Sequence, residues 1–380
     1  MAGAERAAAG TVVDLFCGCG GFSLGAELAG FRSLAAIDID PTLQSGYRRN
    51  FPRTRAIQAS VADIDRSDWA ELIGKTRPDG LIGGPPCQGF SRIGRRRKDD
   101  PRNGLLHHFY RHVELLRPKF FIMENVEGLL DEGNIAELTT ALERVQGRYR
   151  VLGPMVVNAA HFGAATTRKR VVVIGYDPAD VDPLSLDRFE RPAPRKLATV
   201  RDAIADLPSP KPEVKGEFGW AKYSIGRKHL TAYARHLRAA PPAGLGWSDA
   251  VARHAEGFVS GVVATRHSPE ISRRYAVLPA GKSDPITKSY RLDWNGQCPT
   301  LRAGTGADKG AFQAVRPLHP GKGRVITVRE AARLQGFPDW FVFHPTKWHS
   351  FRMIGNSISP MVSAALLATI SEKLALPLAA

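Results

Sequence analysis

The sequence predicts an α/β protein, a doubly wound and mostly parallel sheet with helices on both faces, followed by a smaller irregular domain. Three observations carry this. Short β-branched and apolar runs alternate with helical periodicity up to about residue 178, and strands of that length joined through helices form parallel sheets. A glycine cluster links the first run to the first helix, and polar residues follow several later runs, at the edge where open α/β sheets bind ligands. Beyond residue 178 Pro, Gly, Arg and Lys become frequent and no alternating series can be traced until about residue 328. The expected organisation is a sheet domain over 1–178, a second domain with the segment that organises it over 179–343, and a C-terminal segment over 344–380 that returns to the first.

Residues 11–16 form the first strand and 22–28 the first helix, stopped by Gly30, a residue that takes the left-handed turn at a helix end. A second strand over 33–37 ends at Asp38. Asp40 and Pro41 then supply an N-cap and a first-turn proline for a helix to about residue 50. Strands follow at 80–82, 120–123 and 171–174, with helices over 105–116 and 135–145 between them. A helix over 328–334 carries a capping box, Thr327 with Glu330. An apolar helix over 359–374, with Ser359 as N-cap and Pro360 in its first turn, closes the chain.

A chain of 380 residues with 43% hydrophobic residues buries a sizeable core, and its net charge of +16 favours a polyanionic partner, nucleic acid being the commonest. The four cysteines, Cys17, Cys19, Cys87 and Cys298, form no paired framework, which points to a reducing compartment. Cys17-Gly18-Cys19 has no second ligand pair nearby, so no metal is expected. The first ten residues are Ala-rich and precede no apolar segment of signal or membrane length, and the expectation is a cytoplasmic protein.

In DLFCGCGGFSLG, residues 14–25, Gly18, Gly20 and Gly21 lie between strand and helix, where missing side chains admit a ligand to the backbone. Asp38, about twenty residues on, is placed to accept from ribose hydroxyls. An adenosine-type cofactor follows. A nicotinamide-dependent dehydrogenase stays open on this turn alone, although the compressed GxGG departs from GxGxxG. Asp63, followed by Ile64, is a candidate for the adenine edge.

The most informative stretch is GGPPCQGFSRIGRRRKDDPR, residues 83–102. Cys87 follows two prolines after a short buried strand, and Arg92, Arg95, Arg96, Arg97 and Lys98 come at once. A lone cysteine is more often an inert core residue, and a charge run is more often a solvated face. Together they describe a thiol in a field that lowers its pKa and gathers phosphates. The strand over 120–123 ends in Glu124-Asn125-Val126, a carboxylate on the same sheet edge. Arg168 and Arg170, before the strand over 171–174, share one side of an extended segment, where they either face solvent or reach the cleft.

With these residues in view the chain resembles the DNA (cytosine-5) methyltransferase family, in order along nearly its whole length. DLFCGCGGFSLG is similar to the family's cofactor turn, Pro85-Pro86-Cys87-Gln88 to its catalytic motif and Glu124-Asn125-Val126 to its cytosine-binding motif. Arg168 and Arg170 match the arginines of a QxRxR pattern, with Thr166 in place of the Gln and Ala165 in place of a usual proline. Residues 326–341 resemble the segment that organises the recognition domain, and Ile354-Gly355-Asn356-Ser357 with Pro360 the last motif.

The resemblance implies a Rossmann-like fold with a target-recognition domain, S-adenosylmethionine as cofactor and S-adenosylhomocysteine as product. It implies that Gly18, Cys19, Gly20 and Gly21 form the cofactor turn, that Phe16 and Ile39 sandwich the adenine, and that Asp38 takes the ribose. Asp63, Ile64, Pro86, Leu105, Asn356 and Ser357 would complete the pocket. Cys87 would add to carbon 6 of a flipped-out cytosine, Glu124 would bond N3 and the exocyclic amine, and Arg168 and Arg170 would hold O2 and the loop. Ser91, Arg92, Arg95, Arg96, Arg97 and Arg102 would clamp flanking phosphates of double-stranded DNA, and Arg273, Arg274 and Lys288 are candidates for base contacts. A cognate restriction endonuclease is a candidate companion, and the chain is expected to be monomeric, nucleoid-associated and free of membrane.

Two rivals share the scaffold. The tRNA-methylating branch carries a Cys-Phe-Thr signature where Cys298 is here followed by Pro299-Thr300, and no second cysteine lies near Glu124. A catalytically silent DNA-binding regulator would have no use for Cys87, Glu124 and the glycine turn together.

Overall fold

The computed structural model describes residues 9–86, 104–190, 196–304 and 316–374. Its first half runs β1 (Gly10–Leu15), α1 (Gly21–Leu28), β2 (Phe31–Asp38), α2 (Pro41–Asn50), β3 (Arg55–Gln58), α3 (Arg66–Ile73), β4 (Gly80–Gly83), α4 (Gly104–Leu116), β5 (Phe120–Asn125), α5 (Glu132–Glu143), β6 (Arg150–Asn158) and β7 (Lys169–Tyr176). The seven strands form one sheet in the order β3-β2-β1-β4-β5-β7-β6. The chain runs outward from β1 to β3 and then resumes on the other side of β1 at β4, which makes the β1/β4 boundary the switch point where such sheets hold ligands.

The sheet is mostly parallel, as expected. The exception is β7, which lies antiparallel between β5 and β6. Three elements carry no clear sequence signal, for a common reason. Four-residue β3 and bulged β6 are the two edge strands, β6 is interrupted by Gly153-Pro154 with exposed residues at several positions, and α3 buries only Trp69. None of the three presents a continuous apolar pattern.

Local signals behave as read. Asp40 caps α2 by accepting from Thr42 N at 2.9 Å and Leu43 N at 3.1 Å, with Pro41 in the first turn. Gly30 is left-handed, at φ 91°.

The second half holds α6 (Val200–Ile204), β8 (Ala221–Lys222), α7 (Ala232–Leu237), α8 (Ser248–Ala255), β9 (Phe258–Val259), α9 (Pro269–Val277), α10 (Val328–Leu334), α11 (Lys347–Asn356) and α12 (Pro360–Ser371). Regular structure is sparse between β7 and α10, as the composition implies. Thr327 and Glu330 form the anticipated capping box on α10. A charged cluster organises this part. Arg333, with no exposed surface, donates Nε to Asp339 Oδ1 and Nη2 to Asp339 Oδ2, each at 2.6 Å, and reaches Asp206 Oδ1 and Oδ2 at 3.2 and 3.1 Å. Arg238 also donates to Asp206, and Arg329 donates to the Ser260, Pro338 and Phe341 carbonyls. Its apolar surroundings are shared with the sheet domain: Val200 and Ile204 of α6 and Leu334 of α10 lie in one core with Tyr47 of α2 and Phe51 just after it.

α12 returns to pack on α1, and two glycines let it approach. A Cβ at Gly21 would stand 1.8 Å from Ser357 Oγ, and one at Gly25 would stand 2.0 Å from Ser363 Oγ. Ser363 Oγ donates to Gly21 O at 3.1 Å across this contact. Lys347–Ser371 is apolar and long enough to cross a membrane by composition, yet Val362, Leu366, Leu367 and Ile370 are core residues packed with Phe22 and Ala26. Ser359 occupies the N-cap position, but its hydroxyl donates to Gln335 O at 2.8 Å instead of capping the helix.

Removing one partner of a buried ion pair leaves the other charge uncompensated, at a cost of about 3–5 kcal/mol. Asp339→Asn therefore lowers the thermal midpoint by several degrees in a fluorimetric melt; an unchanged midpoint would remove this cluster from the interactions that hold the second half together.

Candidate active site

The carboxyl edge of the sheet brings four pieces together: the turn after β1, Asp38 at the end of β2, Gly84 to Pro86 after β4, and Glu124 on β5. The first turn is tightly wound, with Phe16, Gly18 and Gly20 at φ 58°, 56° and 96°. Phe16 is the one without glycine's freedom, a conformation that costs an L-residue roughly 1–2 kcal/mol; it is held by Cys17 N donating to Ile37 O at 3.0 Å and Gly20 N to Cys17 O at 2.8 Å.

The glycines divide their work. A Cβ at Gly18 would meet nothing within 4 Å, so this position faces open space, and its N–H donates to Asp38 Oδ2 at 2.9 Å. A Cβ at Gly20 would stand 2.3 Å from the Phe51 ring. Gly20 and Gly21 are thus required by packing, and a ligand can meet only their backbone at the start of α1, which no side chain caps.

Asp38 also accepts from Asp40 N at 2.9 Å. Burial raises its pKa, while the hydrogen bonds from Asp40 and Gly18 and the Arg352 charge pull the other way. Each carboxylate oxygen has further acceptor capacity, which suits ribose hydroxyls. Ile39 beside it is 67% exposed, an apolar face turned outward. These residues fit an adenosine. Asp63 is exposed, whereas Ile64 is buried in the core with Trp69 and Leu106; the Ile64 side chain therefore supports the loop from beneath. That loop is fixed by residues without a sequence motif: Trp69 Nε1 donates to His112 Nδ1 at 2.9 Å, so His112 Nε2 carries the hydrogen and donates to Val61 O at 2.8 Å. Burial holds the His112 pKa down at about 4, which keeps the ring neutral.

Three thiols are removed from nucleophilic chemistry. Burial pushes Cys17 well up and Cys19 up to about 12, and it raises Cys298 as well. The Cys19 thiol points at Met353 O, 3.6 Å away, so only its backbone belongs to the turn. Cys87 lies outside the described residues, as do Ser91, Arg92, Arg95, Arg96, Arg97, Lys98 and Arg102.

Glu124 is placed from two sides. Arg170 Nε lies 2.7 Å from its Oε1 in a largely buried pair. A Cβ at Gly84 would stand 2.8 Å from its Oε2, so the carboxylate lies over a bare piece of backbone just before Pro85-Pro86-Cys87. Next to it, Asn125 Nδ2 donates to Pro85 O at 3.2 Å, and Asn125 Oδ1 accepts from Val126 N at 2.9 Å. Asn125 thereby ties Pro85 to the end of β5. Neither the Gly84 approach nor the Asn125 bond is signalled by spacing alone.

Arg168 and Arg170 part company. The Arg168 side chain is buried and donates Nη1 to Leu301 O at 3.1 Å and Nη2 to Gly355 O at 2.8 Å. Its guanidinium joins the strand to two distant segments, so of the two arginines expected to hold O2 and the loop, only Arg170 stands beside Glu124. Thr166, in the position of the usual Gln, donates Oγ1 to Cys298 O at 2.8 Å, and Cys298 N donates to Ala165 O at 2.9 Å. Gly355 approaches so closely that a Cβ would stand 2.4 Å from Ala303 N. Gln335 Nε2 donates to Ile354 O and Ser357 O at 2.8 and 2.6 Å, carrying the last motif to the pocket. Asn356 is exposed there, and Pro86, Leu105 and Ser357 are half-buried. Among the base-contact candidates Arg273 is exposed, but Arg274 is paired with the buried Asp284 at 2.8 Å and Lys288 Nζ donates to Pro285 O, so Arg274 is engaged inside its own domain. An open groove of about 890 Å³ between α2 and α8, lined by Arg48, Arg49 and Trp247, lies at the other end of α2 from Asp38 and is distinct from this site.

A switch-point glycine turn, a ribose-type carboxylate and a glutamate–arginine pair on one edge define an α/β methyltransferase. The chain matches the crystal structure of a putative DNA modification methyltransferase encoded within an E. coli prophage with a TM-score of 0.85 and 40% identity over 95% of this chain and 98% of that one. It shares its fold with the S. pombe Dnmt2 methyltransferase at a TM-score of 0.57 and 16% identity. The model of C-5 cytosine-specific DNA methylases matches residues 10–372, and the chain belongs to that family. Similar proteins include the Type II methyltransferases M.XorII of Xanthomonas oryzae pv. oryzae, 41% identical over 95% of this chain and 84% of the relative, and M.DdeI of Desulfomicrobium norvegicum, 31% identical over 95% and 88%. The dehydrogenase alternative ends here, and the relatives stand on the DNA side of the RNA question.

Because a misplacement of about 1 Å can cost roughly 100-fold in rate, Gly84→Ala, whose new methyl displaces Glu124, lowers methyl-transfer turnover by roughly 10- to 100-fold while the thermal midpoint changes little. Wild-type turnover in this variant would show that the close approach has no part in placing the carboxylate.

Proposed function

We propose that this enzyme methylates carbon 5 of a cytosine flipped out of a specific double-stranded DNA sequence, through a covalent adduct with Cys87. The observation that carries the reading is the Glu124 carboxylate, held by Arg170 and seated over Gly84 directly before Pro85-Pro86-Cys87.

Carbon 5 of cytosine is a poor nucleophile. The Cys87 thiolate adds to carbon 6, and the electron pair displaced toward the ring makes carbon 5 nucleophilic. Glu124 hydrogen-bonds N3 and the exocyclic amine and shares a proton with N3 as negative charge develops there. Arg170 keeps that carboxylate in place and offers a donor to O2. S-adenosylmethionine, when bound, supplies the methyl group and leaves as S-adenosylhomocysteine. The carbon 5 proton then passes to a solvent-derived base and the carbon–sulfur bond to Cys87 breaks, which restores the ring and the thiolate.

For the cofactor, Asp38 takes the ribose, Phe16 and Ile39 the two faces of the adenine, and the turn Gly18 to Gly21 the methionine end, with Asp63, Pro86, Leu105, Asn356 and Ser357 around them. Arg168 acts by holding the active-site strand to residues 301 and 355. The basic residues from Arg92 to Arg102, with Ser91, take DNA phosphates, and the stretch 179–343 reads the target. The chain acts as a cytoplasmic monomer, and a cognate restriction endonuclease beside it agrees with the Type II names of the relatives.

Bisulfite sequencing of amplified, methylation-free DNA incubated with the protein and S-adenosylmethionine tests the whole reading. Protected cytosines are expected in one short motif, to vanish in Cys87→Ser, and to form more slowly by roughly 100- to 1,000-fold in Glu124→Gln, the range for loss of one charge-stabilising contact. Protection that survives Cys87→Ser, or none with the unaltered chain, rejects it.

A further inference from the structure

The rim that follows β2 is fastened at both ends. Asp38 accepts from Gly18 N and Asp40 N, and Asp40 spends one oxygen, Oδ1, capping α2. Its other oxygen, Oδ2, lies 2.5 Å from Arg352 Nη2 on α11, with both side chains partly exposed at 19% and 29%. Between the two aspartates the Ile39 side chain stands outward. Arg352 precedes Asn356 by one helical turn, and its neighbour Met353 offers its carbonyl to the Cys19 thiol, so α11 touches the glycine turn as well. One guanidinium therefore bridges two walls of the pocket that come from opposite ends of the chain.

We propose that Arg352 is a positioning residue for the adenosine half of the cofactor: its pair with Asp40 holds residues 38–40 against α11, so that Asp38 and Ile39 meet the ribose and adenine already in place. Preorganisation of this kind improves affinity by removing the cost of ordering the rim on binding. The inference rests on the reading that S-adenosylmethionine occupies this pocket and deepens it. The ion pair that Arg352 makes is with the rim after β2, on the cofactor side of the edge, so its effect falls on the cofactor.

The test measures S-adenosylhomocysteine binding by calorimetry, together with steady-state methylation of amplified DNA, in the unaltered chain, Arg352→Ala, Arg352→Lys, Asp40→Asn and the Arg352→Ala/Asp40→Asn double variant. Asparagine caps a helix as well as aspartate does, so Asp40→Asn removes the charge and leaves α2 capped. Expected in Arg352→Ala and Asp40→Asn is a rise of roughly 5- to 10-fold in Kd for S-adenosylhomocysteine and in KM for S-adenosylmethionine, the lower range of coupling between linked sites. The double variant should be no weaker than either single one, Arg352→Lys should recover part of the loss, and kcat and KM for DNA should hold. Unchanged binding in both single variants, additive losses in the double variant, or an equal loss toward DNA overturns the proposal. An unaltered chain that binds no S-adenosylhomocysteine overturns the cofactor reading, and this inference with it.

Discussion

The ion pair between Glu124 and Arg170 depends on the reversal of a single strand. β5 ends at the carboxyl edge of the sheet and brings Glu124 there. β7 runs the other way, so its first residues arrive at that same edge, with Val172 opposite Glu124 and Val171 opposite Asn125. Eight residues of strand at about 3.3 Å each span roughly 25 Å; a parallel β7 would leave Arg170 on the far side of the domain. A largely buried pair of this kind recovers little net stability after desolvation. Its value is geometric, because a permanently charged guanidinium stands 2.7 Å from one carboxylate oxygen and leaves the other over Gly84, beside Pro85.

Close backbone approach is the second constraint. Gly84 admits the carboxylate, Gly20 admits Phe51, and Gly21 and Gly25 admit the serines around α12. The last three serve packing: Gly20 seats the turn on the ring that follows α2, and Gly21 and Gly25 draw the segment around α12 onto α1. Gly355 does the same for residues 302 and 303, and the carbonyls of Leu301 and Gly355 both end on Arg168. The pocket is therefore assembled from the two ends of the chain together with the segment between them.

The part between β7 and α10 has little regular structure to satisfy its backbone, and buried arginines replace part of what helices and strands normally do. Each guanidinium carries five donors in a fixed fork, and Arg329, Arg333 and Arg238 spend theirs on loop carbonyls and on Asp206 and Asp339. That explains how a stretch rich in Pro, Gly and Arg shares a core with the sheet domain, and why a sequence pattern built on apolar periodicity finds so few elements in it.

Features that act over three or four residues were legible in the sequence: the Asp40-Pro41 start of α2, the Thr327–Glu330 box, the stop at Gly30, and the glycine turn with its aspartate. Cys87, Glu124, Arg168 and Arg170 were recognisable by residue type, order and strand-end position, and the family follows from them. The edge elements β3, α3 and β6 were not, since half-exposed segments carry no sustained apolar period. Nor was the division between Arg168 and Arg170, two residues apart on one side of a strand, of which one meets Glu124 and the other two carbonyls from distant segments. Alternation along a strand is the same read in either direction and so does not reveal which way β7 runs; only the pairing of β7 with β5 and β6 decided that, and with it which arginine reaches the carboxylate.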